Sequence, residues 1–156
     1  MSRALSRSFL FVPGDSERKL LKAETSGADA LILDLEDSVA SNRTALAREQ
    51  VLSYLHAHRR RESQIWVRIN PLSTPAALLD LAVVAGAPDG LVLPKVDSAA
   101  DVVRLANMLD ALEVRDGLSS SSIAILPVVT ETPASLFSAG SYSGCSSPLA
   151  GLTWGR

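Results

Sequence analysis

The stretch Ala30-Leu31-Ile32-Leu33-Asp34-Leu35-Glu36-Asp37 decides the fold class. Four apolar residues run without alternation and then meet three acids within four positions. A strand buried on one face alternates apolar and polar; a continuously apolar run of this length suits a strand covered on both faces, as in a parallel sheet. The same design recurs on either side, at 8–13 (SFLFVP), 64–70 (QIWVRIN), 90–96 (GLVLPKV), 123–130 (IAILPVVT) and 149–154 (LAGLTW).

Helix-length segments separate these runs. Asp15 or Ser16 is placed to cap a first helix that carries Leu20 and Leu21 and ends near Gly27. A second, over 43–60, sets Ala47, Val51 and Leu55 on one face, and a fourth, over 99–112, does the same with Val102, Leu105, Leu109 and Leu112. The third, over 74–85, is almost wholly apolar and reads as buried. Strand–helix repeated five times and followed by a sixth strand predicts right-handed crossovers and a parallel sheet. The strand starts lie roughly 28 residues apart, so eight units would need about 226 residues, near the ~250 of a (β/α)8 barrel. The expected fold is therefore an α/β (β/α)8 TIM barrel, truncated after about the sixth strand, with 1–156 as one incomplete barrel domain. An open doubly wound sheet is the competitor that length favours. Against it, no Gly-x-Gly-x-x-Gly follows the first strand and no P-loop occurs.

Composition bounds the function. With 47% hydrophobic and 21% charged residues and a net charge of -2, the chain is neither disordered nor basic enough to point to nucleic acid or an anionic membrane. The run from Phe9 to Val12 behind Arg3 and Arg7 is too short for a signal peptide, and the uncharged 132–155 segment is too rich in Ser and Gly for a membrane span. Cys145 is the single cysteine, which excludes an internal disulfide framework and a cysteine-only zinc site. A cytoplasmic protein is expected.

The functional signal lies in the polar residues that close each apolar run. Pro13-Gly14-Asp15, then Asp34, Glu36 and Asp37, then Arg68 and Asn70, then Pro94-Lys95, then Thr130-Glu131, and finally Trp154-Gly155 stand at successive carboxyl ends. In a parallel barrel these ends converge on one face, where active sites lie. Carboxylates, a guanidinium and an ammonium sharing one mouth suit a hard divalent cation plus an anionic substrate. Each residue also has a purely structural reading. The acids at 34–37 serve equally as helix-start charges or ion-pair partners, and Glu131 before Thr132-Pro133 as a helix-start carboxylate. Arg68, between Val67 and Ile69, needs a buried partner, for which Glu36 or Asp37 would serve; Lys95 serves as a solvated strand end. His56 and His58, beside Arg59, Arg60 and Arg61, read as a solvated helix tail, Cys145 as inert, and Trp66 and Trp154 as packing.

Five strings, RSFLFVPG (7–14), LILDLEDSV (31–39), VRIN (67–70), GLVLPKV (90–96) and VTETP (129–133), occur in an order and spacing that resemble the HpcH/HpaI aldolase / citrate lyase β-subunit family of CoA-ester lyases. The resemblance spans nearly the whole chain. It implies a (β/α)8 barrel that binds Mg2+ and cleaves or forms a C–C bond beside an acyl-CoA thioester such as citryl-, malyl- or citramalyl-CoA, or in a small hydroxy-keto acid. By motif it implies Glu131 as a carboxylate ligand of the metal and Arg68 as the holder of a substrate oxygen. It further implies Asp37 and Glu36 as catalytic carboxylates beside the metal, and Pro13, Gly14, Pro94 and Lys95 along the CoA portion. A homo-oligomer is expected. The family's second acidic metal ligand follows a sixth-strand Gly-x-x-Asp type motif, whereas GLTWGR ends this chain at Arg156. The expectation is thus either a lyase represented by its N-terminal portion or a non-catalytic product that binds acyl-CoA or associates with intact subunits.

Overall fold

The computed structural model describes residues 6–59 and 62–155; Arg3, Arg60 and Arg61 lie outside them. Five strands, β1 (Phe9–Pro13), β2 (Ala30–Asp34), β3 (Gln64–Arg68), β4 (Gly90–Leu93) and β5 (Ala124–Pro127), lie side by side in chain order, every neighbouring pair parallel. Parallel neighbours need a crossover. Here each crossover carries a helix: α1 (Glu17–Ala23), α2 (Thr44–Ala57), α3 (Pro75–Asp80) and α4 (Ala99–Arg115), with α5 (Pro133–Phe137) following β5. Among the described residues no helix is long and apolar enough to cross a membrane.

The unbroken apolar runs follow from a sheet with two apolar faces. Leu31, Leu33, Ile65, Val67, Leu91 and Ile125 face the helices and pack with Leu20, Val51, Leu55, Val102 and Leu105. Alternate residues, which must point the other way, form a second, smaller cluster of Ala30, Ile32, Trp66, Val92, Ala124 and Val128 on the inner face. Phe9 extends it, meeting Trp66 edge-on at 6.0 Å between ring centroids. Gly90 is what admits the indole: a Cβ there would lie 2.3 Å from Trp66 Cζ3. Gly14 plays a similar part at the other end of the sheet. Its N–H donates to the Asp34 carbonyl at 2.8 Å, and a Cβ would sit 2.6 Å from that oxygen.

Several elements differ from their sequence-based outlines. The apolar third helix is α3 followed by a 3-10 turn, Leu81–Gly86; winding at about three residues per turn aligns Leu81 with Val84, both buried, and brings Gly86 against Leu55. α1 stops at Ala23, short of Gly27, and Ser16 at its N-cap makes no side-chain capping bond, while Asp15 is taken by Arg43. The sixth strand exists only as two parallel bridges, Ile125↔Leu149 and Val128↔Thr153. The cause lies in β5. Pro127 has no N–H for the rung after Ala150 N–H to Ile125 O, and the next rung comes from Thr153 rather than Leu152. α4 starts in a capping box of Ser98 and Asp101, and its buried Glu113 accepts hydrogen bonds from Ser121, Ser122 and Ile123, which fixes the entry into β5.

Candidate active site

Register brings the polar residues together. Pro13 pairs with Asp34, Asp34 with Arg68 and Arg68 with Val92, one row across the carboxyl ends of four strands. Asp34 follows Ala30 and Ile32 on the inner face by simple alternation and is 1% exposed. Its carboxylate accepts from Arg68 Nε at 2.7 Å and Nη2 at 2.8 Å, a bidentate pair. It also accepts from the N–H of Glu36, and from both the N–H and the hydroxyl of Ser38. The principal partner of Arg68 is therefore Asp34, with Glu36 and Asp37 as more distant ion-pair partners. Those two stand on its remaining edge, 3.4 and 3.9 Å from Nη1.

A second cation completes the cluster. Lys95, just past β4, has φ 51, a left-handed backbone that is uncommon outside glycine. In this conformation its N–H donates to Glu131 Oε2 at 2.8 Å, while its ammonium pairs with Glu36 and lies 3.7 Å from Asp37 and 3.9 Å from Glu131. Glu36 and Glu131 have buried side chains; Asp37 is exposed. Arg68 and Glu131 line a cleft of about 350 Å³ whose walls are Phe9, Phe11, Ile32, Val92 and Leu126 from the strands and Leu152 and Trp154 from the last segment.

The environments push two neighbouring carboxyls apart. Burial alone would raise Asp34, but the hydrogen bonds from Arg68 and Ser38 outweigh it and hold the group below the ordinary carboxylate range. For Glu36 burial prevails over Lys95 and Arg68, and its carboxyl is raised. Burial works against the charge on Arg68 and on Lys95, yet the bonds to Asp34 and Glu36 raise both, so each remains a cation.

Glu131, Arg68, Asp37, Glu36 and Lys95 thus gather at one mouth. Gly14 and Pro94 are buried and Pro13 is half-buried, and none of the three is among the residues lining the cleft. The residue that sequence reasoning undervalued is Asp34, which the alternation Ala30, Ile32, Asp34 would have placed facing Arg68. Trp66 is indeed packing, whereas Trp154 is 80% exposed. His58 is more than a solvated tail: it stacks on Tyr54 and meets Glu24 at 2.8 Å. Mg2+ takes oxygen ligands, often one or two carboxylates plus waters and substrate oxygens. Glu131 is a carboxylate of that kind, and the nearby Glu36 Oε2 is buried without a hydrogen-bond partner. Among the described residues no group of three or more His, Cys, Asp or Glu forms a metal cage. The donor set fits a cation held by few protein oxygens.

Carboxylates and two cations at the carboxyl ends of a parallel sheet define a class: an α/β protein whose site occupies the position where such folds carry their chemistry. The model of the HpcH/HpaI aldolase/citrate lyase family matches residues 7–146. The β subunit of citrate lyase from Escherichia coli is 35% identical over 150 residues, 96% of this chain and 49% of that protein. A (3S)-malyl-CoA thioesterase from Cereibacter sphaeroides is 41% identical over 105 residues, covering 66% and 36% respectively. Among solved structures, the citrate lyase β subunit of M. tuberculosis, complexed with oxaloacetate and magnesium, is similar with a TM-score of 0.72 and 30% identity, over 97% of this chain and 58% of that one. The chain belongs to the HpcH/HpaI aldolase/citrate lyase family. It spans about half the length of the curated citrate lyase subunits it matches.

Proposed function

We propose that the chain carries the first five units, and the start of the sixth, of a (β/α)8 barrel that cleaves a C–C bond in a 3-hydroxyacyl-CoA ester such as malyl-, citramalyl- or citryl-CoA, with Mg2+ as cofactor. The observation that carries this reading is the placing of Arg68 and Glu131 on one cleft, with Asp37 and Lys95 beside them. In the reaction the 3-hydroxyl loses its proton and becomes a carbonyl. The C2–C3 bond breaks, its electron pair passes to the thioester enolate, and a proton then restores the acyl-CoA. Arg68, held charged by Asp34, offers its Nη1 edge to the oxygen on which negative charge collects. Glu131, fixed through the Lys95 N–H, is the chain's own ligand for the metal, and Asp37, exposed at the rim, holds water near it. Mg2+, when bound, would supply Lewis-acid stabilisation of the developing negative charge. The acyl-CoA enters past Pro13, Gly14 and Pro94-Lys95, and the working protein is a cytoplasmic homo-oligomer.

The test joins this sequence to the further barrel units that its relatives possess and follows thioester cleavage. Mg2+-dependent turnover is expected, with a loss of about 10²–10³ for Arg68→Ala and a comparable one for Glu131→Ala. Activity indifferent to Glu131→Ala would overturn the site. The thioesterase relative adds a product check: hydrolysis of malyl-CoA yields malate and CoA, cleavage yields glyoxylate and acetyl-CoA.

A further inference from the structure

We infer that Phe11 is a positioning residue, one that sets the tilt of the Arg68 guanidinium; the inference rests on reading Arg68 as the group that meets the substrate's oxygen. Phe11 projects from β1 into the cleft, two strands away from Arg68, and remains 49% exposed. Its ring lies 4.7 Å from Arg68 Cζ, inside the ~6 Å over which a guanidinium is attracted to an aromatic face.

The contacts of Arg68 with Asp34 and Phe11 are complementary. Asp34 takes Nε and Nη2 and so fixes the guanidinium within its own plane. That bidentate pair still permits tilting about the line joining the two nitrogens. The ring closes one face against this motion and leaves Nη1 as the edge directed at Glu36, Asp37 and the mouth. Arginine suits such a site because its donors form a planar fork, which lysine cannot reproduce. Direction matters here, because a misplacement of ~1 Å at a reacting centre can cost ~100-fold in rate.

Phe11→Leu keeps apolar bulk and removes the aromatic face; Phe11→Tyr keeps both. The first readout is the Arg68 Nε–Hε signal in nitrogen-resolved NMR of the 156-residue chain. The ring current of Phe11 should displace this signal in the native chain and in Phe11→Tyr, and the displacement should vanish in Phe11→Leu while the backbone spectrum stays native. The second is the affinity for pyruvate, used as an anionic keto-acid probe and measured in the presence of Mg2+ on this sequence joined to the further barrel units that its relatives possess. Phe11→Leu should weaken it by about two- to fivefold, with Phe11→Tyr restoring it. An Arg68 signal indifferent to Phe11→Leu, or equal pyruvate affinity in the native chain and Phe11→Leu, overturns the role of Phe11. Absence of pyruvate binding in every form, with the Arg68 signal still sensitive to Phe11, instead overturns the reading of Arg68 as the anion holder.

Discussion

Replacing Asp34 by alanine withdraws the carboxylate that accepts two hydrogen bonds from Arg68, two from Ser38 and one from the Glu36 N–H. Asp34 is 1% exposed, so no water takes its place without rearrangement. Removing one partner of a buried ion pair costs about 3–5 kcal/mol, because the other charge is left behind. Glu36 and Asp37 stay within 3.4 and 3.9 Å of Nη1 and partly compensate, so the lower end, about 3 kcal/mol, is the expected loss. For a chain of this size that is a fall of about 6–12 °C in Tm. Urea unfolding followed by far-UV circular dichroism measures it directly. The double variant Asp34→Ala/Arg68→Met should regain at least half the loss, since deleting both charges removes the orphaned cation. A loss under about 1 kcal/mol, or a double variant no better than the single one, would refute the account of Asp34 as the anchor of Arg68.

Gly90→Ala should destabilise by about 1–3 kcal/mol, since its Cβ would fall 2.3 Å from Trp66; denaturant midpoints for Gly90→Ala with and without Trp66→Leu test whether the clash is with that ring. Glu113→Ala should cost about 1–3 kcal/mol and speed exchange of the Ile123 amide, whose acceptor is lost. Because the Asp34 carboxyl sits below its unfolded value, its contribution is present above that value and is lost as the pH falls through the folded one. The gap in urea midpoint between the native chain and Asp34→Asn should hold steady above about pH 5 and shrink below about pH 4. The 156-residue polypeptide should self-associate through β1, which among the described residues pairs with β2 alone and exposes Phe9, Leu10 and Phe11. Sedimentation giving one monomer across micromolar concentrations would contradict this.

The parallel sheet was legible because burial on both faces writes itself as unbroken apolar runs, ALILD in β2 and GLVL in β4 being the clearest. The sixth strand was legible as a position but not as an interrupted ladder, because the break depends on which neighbour must receive the missing N–H of Pro127. The break of the third helix at Leu81 depends on tertiary packing, with Gly86 drawn against Leu55 from α2. At the site, residue types at strand ends picked out Arg68, Lys95, Glu36, Asp37 and Glu131. Their division of labour did not follow, since Asp34, Glu36 and Asp37 differ in side-chain length and facing rather than in chemistry. The left-handed backbone of Lys95 had no signal, because no glycine or asparagine marks that position.

The two tryptophans differ in a way that turns the inner face into an optical instrument. Trp66 is 3% exposed against Gly90 and Phe9, with its indole N–H donating to Gln64, whereas Trp154 is 80% exposed at the rim of the cleft. Phe substituted for Trp154 would leave a single buried fluorophore in the middle of the sheet. Its emission would report whether the inner face is dry. The blue-shifted native signal should give way to a red-shifted one as water reaches β3, so that assembly, unfolding and the arrival of any further strands over that face become visible without an added label.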